Sequence, residues 1–212
     1  MFVFSRRARL ETGEIRAGLQ HAVEMTERVN RIAGLGTGLY SQILSPELGT
    51  ISWTSFVPDL PTLVSAGDKL QVDDEYMTAV EQGAQFFTGG ADDILAEVVH
   101  GEPDPTRDIQ YATVTRAVLA SGQLQKGIEV GIEIAQKAEQ LTGNPVLFAM
   151  GATGGYGAVS WLSGVSSIEE VEANRAAING DPGFLELLDS KASKVYAEAP
   201  QETEQLIYRK LA

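Results

Sequence analysis

The chain has 212 residues, 43% of them hydrophobic and 21% charged, which is the composition of a folded protein of one or two domains rather than a disordered or collagen-like one. Its net charge of −13 opposes phosphate backbones and anionic lipid, and the only basic cluster is Arg6, Arg7 and Arg9. The absence of cysteine excludes disulfides, thiolate catalysis and thiolate-bound metals.

In chain order, residues 2–10 are β-leaning, and Ile15, Leu19, Ala22, Thr26, Val29 and Ala33 then recur at three- and four-residue steps, the period of an amphipathic helix. Two strand candidates follow, the first over Leu39–Leu44 and the second around Trp53, with Pro46-Glu47-Leu48-Gly49 as the turn between them. A second helical region covers 59–70 and 73–88, with Asp59 and Asp73 as N-caps, and Ile94 to His100 forms a last strand. The same order then repeats: a strand at 110–119, a helix carrying Leu124, Ile128, Gly131, Ala135, Ala138 and Thr142, a strand at 146–150 and a strand around Trp161. Helices near 167–179 and 182–197, capped by Ser167 and Asp181, and a strand from Gln205 to Leu211 complete it.

The repetition is visible residue by residue. Arg7, Ala8, Leu10, Gly13 and Gly18 match Arg116, Ala117, Leu119, Gly122 and Gly127 at an offset of 109. Gly49-Thr50-Ile51-Ser52-Trp53 matches Gly157-Ala158-Val159-Ser160-Trp161 at an offset of 108, and Asp73, Tyr76 and Val80 match Asp181, Phe184 and Leu188 in that register. The chain therefore divides into two repeats, 1–104 and 105–212, each read as β-α-β-β-α-β, the ferredoxin-like unit of the α+β class. Such a unit carries its helices on one sheet face, and the second apolar face finds its simplest cover in the other copy.

With this duplication and topology the chain resembles the dimeric α/β-barrel superfamily, which includes antibiotic-biosynthesis monooxygenases, NIPSNAP-like and EthD-like proteins and the haem-binding chlorite dismutases. The resemblance implies two antiparallel sheets packed as one barrel. It also implies a protein that holds an apolar or aromatic molecule between sheet and helices, and, if an enzyme, a monooxygenase-like oxidoreductase needing no metal. A non-catalytic ligand-binding or scaffold protein is the alternative. Haem is a minor one, because the haem-binding members hold iron through a histidine of the C-terminal copy and this chain has none after residue 105.

His21 and His100 are the only histidines and so the candidates for acid–base work, with Val130 and Tyr208 at the matching positions by sequence. A boundary or surface histidine is the competing reading for His21. Arg7 and Arg116, at equivalent strand positions, could each fix a carboxylate or phenolate, or pair with a glutamate and hold the copies in register. Tyr40 and Trp53 are further ligand-binding candidates, the first through its hydroxyl, the second as an aromatic wall, with core packing as the alternative for both.

The glycine-rich stretch from Met150 to Gly157 lies between two strands in the repeat register, so it reads as a hairpin rather than a dinucleotide-binding turn. Asp73-Asp74-Glu75 and Asp92-Asp93 read as solvated or helix-dipole carboxylates in preference to a cation site. The expectations are no cofactor and no metal, a small-molecule ligand, no nucleic-acid or membrane partner, a cytoplasmic location and room for a homo-oligomer. Since polar groups concentrate in the first copy, any ligand site is expected there.

Overall fold

A computed structural model describes residues 1–45, 47–197 and 203–212. The elements are β1 (Phe2–Arg9), α1 (Ile15–Ala33), β2 (Gly38–Ile43), β3 (Thr50–Val57), α2 (Leu60–Gln71), α3 (Asp74–Gly83) and β4 (Asp92–His100). They recur as β5 (Tyr111–Val118), α4 (Leu124–Thr142), β6 (Leu147–Gly151), β7 (Ala158–Val165), α5 (Ile168–Gly180), α6 (Pro182–Ser190) and β8 (Glu204–Lys210). The strands hydrogen-bond in the order β1-β3-β2-β8-β5-β7-β6-β4, a closed barrel. Within it β4-β1-β3-β2 and β8-β5-β7-β6 are two copies of the ferredoxin-like order.

The helix boundaries follow from capping. Carboxylates of Asp59, Asp73 and Asp181 accept the backbone N–H groups of Thr62, Tyr76 and Phe184 at 2.8, 2.8 and 2.7 Å, and the Ser167 hydroxyl accepts that of Glu170 at 3.2 Å. The long helices α1 and α4 both end on a left-handed glycine, Gly34 and Gly143. The turn expected at Pro46–Gly49 lies between β2 and β3, with Pro46 itself outside the described residues.

The shared motif has a packing reason. A Cβ on Gly18 would stand 2.6 Å from Leu10 Cδ2, and one on Gly127 would stand 2.1 Å from Leu119 Cδ2. The glycine therefore lets the first turn of each long helix rest on the end of the preceding strand. The two tryptophans are also equivalent. Trp53 Nε1 donates to Thr26 Oγ1 at 3.0 Å and lies 3.4 Å from the Ala22 carbonyl, while Trp161 Nε1 donates to the carbonyl of Gly131, the counterpart of Ala22, at 2.8 Å.

Strand register refines the alignment of the copies. Leu39 lies opposite Trp53 and Phe148 opposite Trp161, so Tyr40 corresponds to Ala149, and the single deletion falls in the β2–β3 turn. Leu39 N–H donates to the Ala212 carbonyl, whereas Phe148 pairs with His100 after a bulge. This makes Ala212, not Tyr208, the counterpart of His100, and Asp92 the counterpart of Glu204.

Backbone contacts divide the chain into Met1–Leu95 with Arg209–Ala212, and Ala96–Tyr208. The expected boundary at 104/105 follows the sequence repeat, but the compact units part company within β4 and β8. In the second unit Ala96–His100 pairs with β6, and in the first Leu211 and Ala212 bond to Leu39.

Among the described residues, fourteen buried ones form the core of the second unit, Val130, Ile134, Phe148, Trp161, Phe184 and Val195 among them. The corresponding cluster of the first unit holds only Leu10, Ala22, Leu39 and Ile51.

Candidate functional site

The first unit, whose buried cluster is the smaller, holds an open space beneath its helices. A cavity of about 570 Å³ lies between one face of the first sheet and α1, α2 and α3. Its floor is Phe4, Arg6 and Ala8 of β1 with Trp53 and Ser55 of β3, and its roof includes His21, Met25 and Val29 of α1. Leu63, Gly67 and Leu70 of α2 and Tyr76 and Val80 of α3 form the far wall, and Phe87 and Gly89–Ala91 continue the lining beyond α3. A chamber of this size with mostly apolar walls and a few polar groups suits one small organic molecule.

The polar groups are specific. His21 is half-buried, its imidazole centroid 5.5 Å from that of Phe86 and 6.4 Å from that of Phe87. Its Nε2 packs against Gly83, where a Cβ would be only 2.1 Å away, so the glycine at the end of α3 makes room for the ring. Burial pushes the His21 pKa below its ordinary value, with Glu24 opposing and Arg28 adding to the shift. The imidazole is consequently neutral at pH 7 and able to accept a proton.

At the rim the Arg6 guanidinium grips Asp93 bidentately, Nε to Oδ1 at 2.7 Å and one terminal nitrogen to Oδ2 at 2.8 Å. This bond holds the Arg6 pKa above its usual range and leaves the rim with no net charge. It also commits Asp93, which is unavailable as a cation ligand, and among the described residues no cluster of three metal-ligating side chains exists. Deeper in, Thr37 Oγ1 and Ser55 Oγ, both buried, hydrogen-bond at 2.7 Å. Trp53 offers the ligand its ring and not its N–H, which Thr26 already takes.

Of the residues singled out in the sequence, His21 and Trp53 line this cavity, whereas Arg7, Tyr40, Arg116 and His100 do not. Arg7 fails by parity: β1 alternates, so Phe4, Arg6 and Ala8 face the helices and Arg7 faces the other way. Tyr40 shares the face of Arg7, since both pair with Ser52. His100 sits in the second unit beside the β-bulge of β4, its Nε2 buried without a hydrogen-bond partner and 3.8 Å from Glu139 Oε2.

Arg116 is half-buried and meets Glu204 Oε2 at 3.5 Å. With the glutamate side chain 52% exposed, this pair belongs with the weak ones, and Arg116→Met is expected to change unfolding free energy by about 1 kcal/mol or less in urea titrations.

Arg6, Thr37, Ser55, Gly67 and Tyr76 were not legible as site residues. Four of them differ between copies, standing opposite Thr115, Val146, Arg175 and Phe184. That difference is the signal available in the sequence: shared residues build the scaffold twice, and several of the residues lining this cavity are unshared.

No protein-family description and no curated protein matches the chain. Solved structures do. A proposed monooxygenase from Fusobacterium nucleatum superposes with a TM-score of 0.71 at 10% identity over 100% of this chain and 92% of that one. An anthrone oxidase-like protein gives 0.67 at 13% identity, over 100% and 91% of the two chains. A haem-binding protein from Thermus thermophilus gives 0.55 at 11% identity, over 100% and 91%. The chain thus has the fold of the dimeric α/β-barrel superfamily. Among the described residues no helix is long and apolar enough to cross a membrane.

Proposed function

We propose that the first unit binds a small, uncharged, aromatic molecule in its cavity and oxidises it with molecular oxygen, without metal or cofactor. The observation that carries this reading is the cavity itself, which is walled by apolar side chains and the Trp53 ring and holds one neutral imidazole. The likeness in fold to an anthrone oxidase-like protein suggests the reaction type. With Nε2 turned to Gly83, Nδ1 of His21 is the nitrogen left to take a proton from an activated CH2 group of the substrate. The resulting carbanion gives its electrons to oxygen; one oxygen atom enters the product as a carbonyl and the other leaves as water. The substrate supplies all the electrons, so no external reductant is needed.

Haem ligation through His21 Nε2 does not fit, because that nitrogen is packed on Gly83, which leaves no approach for iron there. The second reading is a binding protein without turnover, favoured by one observation: among the described residues no carboxylate hydrogen-bonds to His21 to orient it.

Anthrone in air-saturated, metal-free buffer separates the two. Turnover with one atom of labelled oxygen incorporated supports the oxidase, and His21→Phe should then lower it by about 100-fold or more. Binding without oxygen uptake supports the carrier. Because burial lowers the His21 pKa, turnover should be level through neutral pH and fall only below 6.5, as the imidazole becomes protonated. A decline beginning above pH 7 would assign the essential group elsewhere.

A further inference from the structure

The face of the first sheet turned away from the helices holds a second polar constellation. Strand register sets Arg7, Ser52 and Tyr40 in one row across β1, β3 and β2. Ser52 is short and buried between two long side chains, so the row is a notch with a hydroxyl floor. Ser5 Oγ joins it, 2.6 Å from Ser52 Oγ and 3.0 Å from Thr54 Oγ1. The Tyr40 ring lies over Gly38, where a Cβ would come within 2.8 Å of it. Burial raises the Tyr40 pKa, so its hydroxyl keeps its proton and can donate it.

Arg7 is the unusual member. Its Nε is buried with no hydrogen-bond partner, and among the described residues it forms no ion pair. The residue is half-buried, and a partly shielded guanidinium with no anion beside it keeps N–H donors to offer, so the notch is electrostatically incomplete. The second unit shows what completion requires. There Arg116 is met by Glu204, and Ala149 stands where the first unit has Tyr40. In the first unit Asp92, the counterpart of Glu204, is one methylene shorter and does not reach Arg7. Gln42, on the same face two residues beyond Tyr40, is 5% exposed with its Oε1 unpartnered, an acceptor for a protonated oxygen.

We propose that Arg7, Ser52 and Tyr40 form a binding site for a small phosphate-type oxyanion, separate from the cavity on the opposite face of the same sheet. Arg7 supplies the charge and paired N–H groups, Ser52 and Tyr40 donate hydroxyls, and Gln42 receives the P–OH proton that hydrogen phosphate carries and a carboxylate lacks.

Titration calorimetry of the full chain with inorganic phosphate and with acetate tests this. Saturable phosphate binding, tighter than acetate, is expected in the native protein. It should be lost in Arg7→Met, weakened by about tenfold in Tyr40→Phe, which keeps the ring over Gly38, and unchanged in Arg116→Met. If Arg7→Met does not fold, Tyr40→Phe and the order of the two anions still decide the matter. No saturable binding of phosphate to the native chain, equal binding of phosphate and acetate, or unaltered phosphate binding in Tyr40→Phe would overturn the assignment.

Discussion

Truncating Phe148 to alanine is expected to cost about 3–5 kcal/mol of unfolding free energy, the range for removing an aromatic ring from a close-packed core. The residue is fully buried, its centroid lies 5.2 Å from that of Trp161, and its ring rests on Gly131, where a Cβ would stand 2.2 Å from Cζ. The helix therefore sits against the ring at a distance only glycine permits. Urea unfolding followed by far-ultraviolet circular dichroism gives the number. A loss under about 1 kcal/mol would mean that the second unit is loosely packed, and with it the contrast between a solid and a hollow copy would fall.

The second large effect concerns binding rather than stability. Gly67 lies within α2, lines the cavity, and has nothing within 4 Å of the position a Cβ would take. Glycine is among the poorest residues inside a helix, by as much as about 1 kcal/mol against alanine. Gly67→Phe should therefore leave the unfolding midpoint unchanged or slightly raised while its ring occupies the space meant for a ligand. Affinity for a neutral aromatic probe such as 1-aminoanthracene should fall by about 100-fold or more, the size of effect expected when a bound ring and a side-chain ring compete for one space. A stable variant that binds the probe as well as the native chain would place the ligand elsewhere.

Much of the scaffold was legible in the sequence because two copies report on each other. Arg7 with Arg116, Gly18 with Gly127 and Trp53 with Trp161 recur, and for the glycines and tryptophans the structural reason is visible in both units. The same comparison hid the cavity. Matching residues drew attention to Arg7, yet its neighbour Arg6, with Thr115 opposite it, faces the helices, and a one-residue error in a strand reverses the face. The departure of β4 and β8 from their own repeats was not legible either, since strand pairing across a barrel leaves no local pattern. Openness is a property of volume. Gly67 against Arg175 and Tyr76 against Phe184 are single differences whose sum becomes a chamber only when the helices are in place.

Fluorine NMR of the chain labelled with 5-fluorotryptophan tests the central claim most directly, because its two tryptophans stand at equivalent places in the two units, Trp53 lining the cavity and Trp161 buried in the packed core. Titration with 1-aminoanthracene should shift the Trp53 resonance saturably and leave that of Trp161 in place. A probe that binds while Trp53 stays still, or that moves Trp161 instead, would contradict the assignment of the ligand to the first unit's cavity.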